Sequence, residues 1–215
     1  MENVLLSTKY KFLFIHYPKT GGNSIQSVLA PHSDDKLVCV APFQDGLERF
    51  EVRSPIYGTQ KHSTLSDYRR EYGEEMLKGL FKFCCVRNPW ERVVSHYFSP
   101  HRGLVTWNRD SFLQFAKSPN VRPLRFFLAA DRQYSNDLRH GIESMSRIIR
   151  FESIQKDFDE VCKLIGLPQT QLPLRNKSTH DEYFKYYDAE SAEAVFNRFK
   201  DEISHFGYSF RQFGL

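Results

Sequence analysis

Phe12-Leu13-Phe14-Ile15-His16-Tyr17-Pro18-Lys19-Thr20-Gly21-Gly22-Asn23-Ser24 is the stretch from which the rest of the chain is read. Residues 10–16 are apolar enough for a strand buried on both faces, as in a parallel sheet. Beyond the turn, Ile25, Val28 and Leu29 recur at helical spacing, with Pro31 as the stop, so the order is strand, glycine turn, helix. Two adjacent glycines allow a tight reversal and a close backbone approach, and the unbonded N–H groups of the helix start point into the turn. With Lys19 and the hydroxyls of Thr20 and Ser24 added, the loop reads as a cradle for phosphate oxygens. The plain alternative is an ordinary strand-to-helix turn with an exposed lysine.

A second junction of the same kind follows. Phe81 to Val86 reads as a strand and stops at Arg87-Asn88-Pro89-Trp90-Glu91, where Asn88 can cap a helix, Pro89 fits its first position and Glu91 can close a capping box. Val93, Val94 and Tyr97 supply the helix's apolar face, while Arg87 and Ser95 stay polar and form a second candidate anion site. The alternative is that Arg87 pairs with a carboxylate.

Further along, residues 37–40 read as a short strand and 42–57 carry no clear pattern. His62 sits in a polar loop before a helix over 65–72 with Ser63 or Ser66 as cap. Helices are expected over 112–116 and 122–130, though residues 99–145 as a whole are hard to read. A strand over 146–151 leads to a helix over 154–165 with Phe158, Val161, Cys162 and Ile165 inward and Gly166 as its stop, and a last helix over 189–202 is capped by Asp188. This recurrence predicts an α/β fold: a P-loop-like, mostly parallel sheet flanked by helices. A length of 215 residues with 40% apolar content suits a single domain, 1–215.

The net charge of +4 suits an anionic ligand but falls short of the concentrated basic stripe of a nucleic-acid binder. Cys39, Cys84, Cys85 and Cys162 lack CxxC spacing and read as buried thiols in a reducing compartment. No apolar run approaches the ~20 residues that span a bilayer. A soluble, cytoplasmic protein without signal peptide or transmembrane segment is therefore expected.

In a parallel sheet ligands lie beyond the carboxyl ends of the strands, so Lys19 and Arg87 should face one crevice and hold two separated anionic groups. An adenine nucleotide phosphorylated at both 5′ and 3′ positions fits. A nucleotide kinase of the P-loop type would place its lysine and magnesium-binding hydroxyl after the last glycine and an aspartate at a strand end. Here the lysine precedes both glycines and the strand ends in Arg87, so no metal is expected. A noncatalytic nucleotide-binding module is the other alternative.

Residues Phe14 to Ser24 resemble the 5′-phosphosulfate loop of sulfotransferases that use 3′-phosphoadenosine-5′-phosphosulfate (PAPS), and Cys85 to Tyr97 resembles their 3′-phosphate motif. The nearest pattern is the carbohydrate branch, with its heparan 2-O- and chondroitin 4-O-enzymes, whose loop reads Pro-Lys-Thr-Gly-Gly-Thr-Ser; here Asn23 replaces Thr. The resemblance extends weakly to Ile149-Arg150-Phe151-Glu152 and to residues 176–179. It implies PAPS as co-substrate, held by Lys19, Thr20, Gly21, Gly22, Asn23, Ser24, Arg87 and Ser95. Lys19 would act on the bridging oxygen and His62 would be the base toward an acceptor hydroxyl, with His16 or His180 the other candidates. Lys177, Ser178 and Thr179 would form a lid, or else a plain surface loop. The acceptor would be a carbohydrate or a small molecule. Members of that family in the secretory pathway usually carry an anchor and disulfides, features not evident here, so a cytoplasmic or bacterial enzyme fits better.

Overall fold

The computed structural model describes residues 5–34, 58–129, 137–175 and 177–210, together with the backbone of 36–41 and 49–53. The expectation of no pattern over 42–57 falls largely outside these residues, as does the side chain of Cys39. The central sheet has four strands, β1 (Leu6–Ser7), β2 (Phe12–Ile15), β5 (Phe81–Val86) and β6 (Arg147–Arg150), in the spatial order β1-β2-β5-β6. β2, β5 and β6 are parallel, and β1 adds an antiparallel edge to β2. The sheet is thus mixed, because a two-residue strand can return by a short turn where a parallel one would need a crossover. The strand expected at 37–40 exists as β3 (Lys36–Ala41), but it pairs with β4 (Arg49–Arg53) in a separate antiparallel hairpin.

The strands' period of two sorts their side chains onto two faces. Leu13, Ile15, Cys84 and Val86 pack against Leu65 and Tyr68 of helix α2 (Leu65–Tyr72), Leu77 of α3 (Glu74–Lys78), and Leu124 and Leu128 of α6 (Leu124–Leu128). Phe12, Phe14, Phe83, Cys85 and Ile149 face the other way, onto Ile25 and Leu29 of α1 (Gly22–Leu29) and Phe158, Val161 and Cys162 of α8 (Ile154–Leu164). Each such buried Phe, Leu or Val contributes about 1.5–3 kcal/mol relative to exposure. A third cluster has no strand in it: Trp90, Val93, Val94 and Tyr97 of α4 (Pro89–Tyr97) pack on Phe112 and Ala116 of α5 (Arg109–Lys117) and on Val195, Phe199 and Ile203 of α9 (Ala189–Phe206). The short α7 (Leu138–Glu143) closes against α6: a Cβ on Gly141 would sit 2.7 Å from that of Leu128. Among the described residues no helix is long and apolar enough to cross a membrane.

Local signals were mostly placed correctly, with two corrections at helix starts. α2 is capped by Thr64, not by Ser63 or Ser66; Thr64 accepts from the Asp67 N–H and Asp67 reaches back to the Thr64 N–H, closing a capping box. At α4, Asn88 does cap, accepting from the Trp90 N–H, and Pro89 takes the first position. Glu91 closes no box there, because it is drawn to Arg87 one turn back while the Asn88 N–H donates to Glu152 instead (2.7 Å). α9 starts at Asp188 as expected and runs on to Phe206, four residues past the expected end.

Because the Thr64 box fixes the start of α2 directly after the loop that carries His62, Thr64→Ala should lower unfolding free energy by about 1 kcal/mol. Urea denaturation with an unchanged m-value measures it; a loss below about 0.3 kcal/mol would mean the box is idle.

Candidate active site

The register of the two central strands creates the site. Ile15 lies opposite Cys84, so β2 ends two residues before β5, and the turn after β2 is laid beside the end of its neighbour. Lys19 from that turn and Arg87 from the end of β5 thereby enter one cavity of about 930 Å³.

The turn is wound in the left-handed region twice, at Lys19 (φ 70°) and Gly21 (φ 82°). A lysine in that conformation costs on the order of 1 kcal/mol, so the surroundings must impose it. They do so through carbonyls: Arg87 Nη1 donates to the Lys19 carbonyl (3.2 Å) and Arg92 Nη1 to the Pro18 carbonyl (3.4 Å). The glycines are required by close approach as well. A Cβ on Gly22 would fall 2.1 Å from His16 Nε2, and one on Gly21 2.6 Å from Ile154 Cδ1. The first helical hydrogen bonds of α1 come from Ser24 and Ile25 to the Gly21 carbonyl, which leaves the earlier N–H groups at the cavity wall.

Cations crowd this wall. The Lys19 ammonium donates to Ser99 Oγ (2.9 Å); burial, then the charges of Arg87 and Lys61, lower its pKa to about 8. Arg87 is buried, stacks at 3.9 Å from the Phe151 ring centroid and pairs through Nη2 with Glu91 (2.9 Å). The expected alternative of a carboxylate partner for Arg87 is therefore realised. Glu91 is part-exposed, and Arg87 Nε is buried with no hydrogen-bond partner.

Of the residues expected to bind a nucleotide, Lys19, Gly21, Gly22, Asn23, Ser24, Arg87, Ser95, Lys177 and Ser178 line the cavity. Ser95 and Ser178 are buried and share a hydrogen bond of 3.1 Å, which ties the 177–180 segment to α4. Thr20 and Thr179 are not among the lining residues. The Thr20 side chain is fully buried, its hydroxyl donating to the Tyr17 carbonyl (2.8 Å), so it braces the turn from behind; Thr179 is exposed. Asn176 lies outside the described residues.

His62 also lines the cavity. Its Nδ1 is 3.0 Å from the His16 carbonyl, an atom that only accepts, so Nδ1 carries the proton and Nε2 is the basic nitrogen. The His16 ring stands 4.7 Å from that of His62. Burial, and then the positive surroundings of His62, Lys61 and Lys19, hold its pKa well below the ordinary histidine value. His180 is at the rim, 5.9 Å from Phe98 between ring centroids.

Sequence reasoning missed Lys61, Arg122, Phe126 and Phe127, which line the same cavity as His62, and Arg92 behind the turn. Lys61 adjoins His62 and was within reach of motif reading. Arg122 and the two phenylalanines come from the stretch 99–145, where neither periodicity nor turn chemistry marked a site. His62, Asn120 and Arg122 are exposed, whereas Arg87, Ser95 and Ser178 are buried. The cavity thus has buried polar groups in its wall and opens to solvent at several lining residues, Leu174 and Lys177 among them.

Comparison with known proteins agrees with this architecture. An uncharacterized protein of Archaeoglobus fulgidus is 34% identical over 118 residues, which is 54% of this chain and 93% of the relative. No solved structure matches the chain. The sequence model of the Sulfotransferase family matches residues 2–209, nearly the whole length, including both strand-to-helix junctions that build the cavity. On that match, the chain belongs to the sulfotransferase family.

Proposed function

We propose that the protein, acting as one catalytic domain over residues 1–215, transfers a sulfuryl group from PAPS to a hydroxyl of a carbohydrate or small-molecule acceptor. The observation that carries the reading is the delivery of Lys19 and Arg87 into one cavity, which Ser95 and Ser178 also line, from the ends of adjacent parallel strands. Two cationic sites on one wall suit a ligand phosphorylated at two positions. Gly21 and Gly22, where any Cβ would collide with neighbours, suit close backbone contact with the 5′ group. The Arg87 guanidinium and the Ser95 and Ser178 hydroxyls suit the 3′-phosphate, and Lys177 lines the same cavity.

In this reading the sulfur–oxygen bond to the 5′-phosphate breaks as a bond forms to the acceptor oxygen, in line. Lys19 leaves Ser99 to neutralise the charge that develops on the leaving phosphate oxygen. His62 Nε2 takes the hydroxyl proton, its ring held by the His16 carbonyl in the tautomer that can accept. His16 itself is a poor base, since burial and neighbouring cations disfavour its protonation. The nucleotide would lie along Lys19, Arg87, Ser95 and Ser178, and the acceptor beside His62, positioned by Lys61, Arg122 and Asn120. Positioning and charge stabilisation carry such a displacement, as in phosphoryl transfer.

The test of the donor is calorimetric titration with adenosine 3′,5′-bisphosphate and with AMP. Charge-assisted bonds contribute about 1.5–3 kcal/mol each, so two of them imply at least about 100-fold preference for the bisphosphate. Arg87→Ala should erase most of that preference; because Arg87 also holds the Lys19 carbonyl, AMP affinity should fall too, but by less than that of the bisphosphate. Equal binding of the two nucleotides by the unsubstituted protein would refute the PAPS assignment.

The pH dependence follows from Lys19. Its pKa is depressed to about 8, so the ammonium is present below that pH in the free protein and is lost as pH rises through it. Donor kcat/KM should therefore fall above about pH 8, whereas kcat should hold to higher pH, because the bound anion raises the lysine's pKa. Steady-state profiles of the two quantities check this; coincident limbs would place the titrating group elsewhere.

A further inference from the structure

Arg92 stands in the same motif as Arg87 and Ser95 but has no part in the reaction as described. Its side chain is almost wholly buried, at 1% exposure, which is unusual for an arginine and demands local compensation. The guanidinium lies 4.2 Å from the Tyr17 ring centroid and 4.9 Å from that of Phe199. Nη1 donates to the Pro18 carbonyl (3.4 Å) and Nη2 to the Arg122 carbonyl (3.2 Å). The balancing carboxylate is Glu202 on α9, also buried, which accepts from the Leu124 N–H (2.7 Å) and lies 3.1 Å from the Tyr17 hydroxyl. One guanidinium therefore reaches both the glycine turn, through Pro18, and another part of the cavity wall, through Arg122.

We propose that Arg92 is a positioning residue for Lys19: by gripping the Pro18 carbonyl it keeps the turn left-handed and the Lys19 ammonium in its buried place against Ser99. The inference deepens the function proposed above, on which its meaning for the reaction rests. Only a planar fork can stack on Tyr17 and Phe199 while spanning two carbonyls; an ammonium at the same place keeps the charge opposite Glu202 but not the grip. Released, the turn would let Lys19 reach solvent and lose the burial that chiefly depresses its pKa. The charged and titratable groups around Lys19 are Arg87 at the end of β5, Lys61 in the loop before α2, and His16 at the end of β2. Those around Arg92 are Tyr17, Tyr187, and Glu202 and Arg198 on α9. Arg92→Lys leaves every one of these charges in place.

The experiment is an NMR pH titration of the protein carrying lysine labelled at Cε, with the Lys19 signal identified by its loss in Lys19→Arg in each background. The unsubstituted protein should titrate near pH 8 at Lys19. In folded Arg92→Lys the midpoint should rise by at least about one pH unit, a shift that a change in stability alone does not produce. If Arg92→Lys does not fold, Arg92→Met decides: it keeps an unbranched stem between Tyr17 and Phe199, removes the grip on both carbonyls, and should move the midpoint in the same direction. An unchanged midpoint in folded Arg92→Lys, or in Arg92→Met where that variant must decide, overturns the proposal. No nucleotide enters the titration, so its outcome is separate from whether PAPS is the donor.

Discussion

The left-handed turn at Lys19 depends on two guanidiniums holding two consecutive carbonyls. A non-glycine residue in that conformation relaxes unless something opposes it, and here Arg87 takes the Lys19 carbonyl while Arg92 takes that of Pro18. The consequences spread outward from that constraint. The Lys19 ammonium is delivered to Ser99 and not to open solvent, the first turn of α1 is set down on the His16 ring, and the His16 carbonyl is left to orient His62. Glycine at 21 and 22 is the corollary, since the same close packing leaves no room for a Cβ at either position.

Placing Lys19, Lys61 and Arg87 around one cavity has a cost that the fold accepts in advance. Their mutual repulsion, added to burial, brings the Lys19 pKa down to about 8, so the ammonium is held in a state that a bound anion would relieve. Among the described residues lining the cavity the one carboxylate, Glu91, is engaged with Arg87. Such preorganised charge is worth more in a closed site than in water, because little has to reorient when negative charge develops beyond the Lys19 ammonium turning from Ser99. The buried Ser95 and Ser178 enclose part of the wall, and exposed lining residues such as His62 and Arg122 leave a way in for a second reactant.

What could be read from the sequence is what short-range pattern controls. β2, β5, α4 and α8 fell where apolar period and caps placed them, and both anion-binding junctions were visible because a strand end, a helix start and a cation lie within a few residues of one another. The antiparallel β1 has only two residues, too few for any periodicity, and the β3–β4 hairpin pairs with itself instead of joining the parallel strands. Thr64 was passed over for Ser63 because either residue type can cap, and only the reach of Asp67 decides between them. Arg92 was legible as a residue but not as a part: on a helix with a mixed surface it looks like a solvated charge. Its burial comes from Tyr17 and Phe199, which lie far from it in the chain. Thr20 is the converse case, a hydroxyl in the right motif whose partner is the turn's own backbone.

The central claim, that sulfuryl is moved from PAPS to a hydroxyl, is tested most directly by incubating the protein with PAPS labelled with radioactive sulfur and mixed pools of carbohydrates and small hydroxyl compounds, with excess EDTA. The account predicts label appearing in at least one acceptor, with one adenosine 3′,5′-bisphosphate released per label transferred, and the same rate with or without the chelator. Label that stays on the nucleotide across every pool, or transfer that stops with EDTA and returns with magnesium, would contradict it.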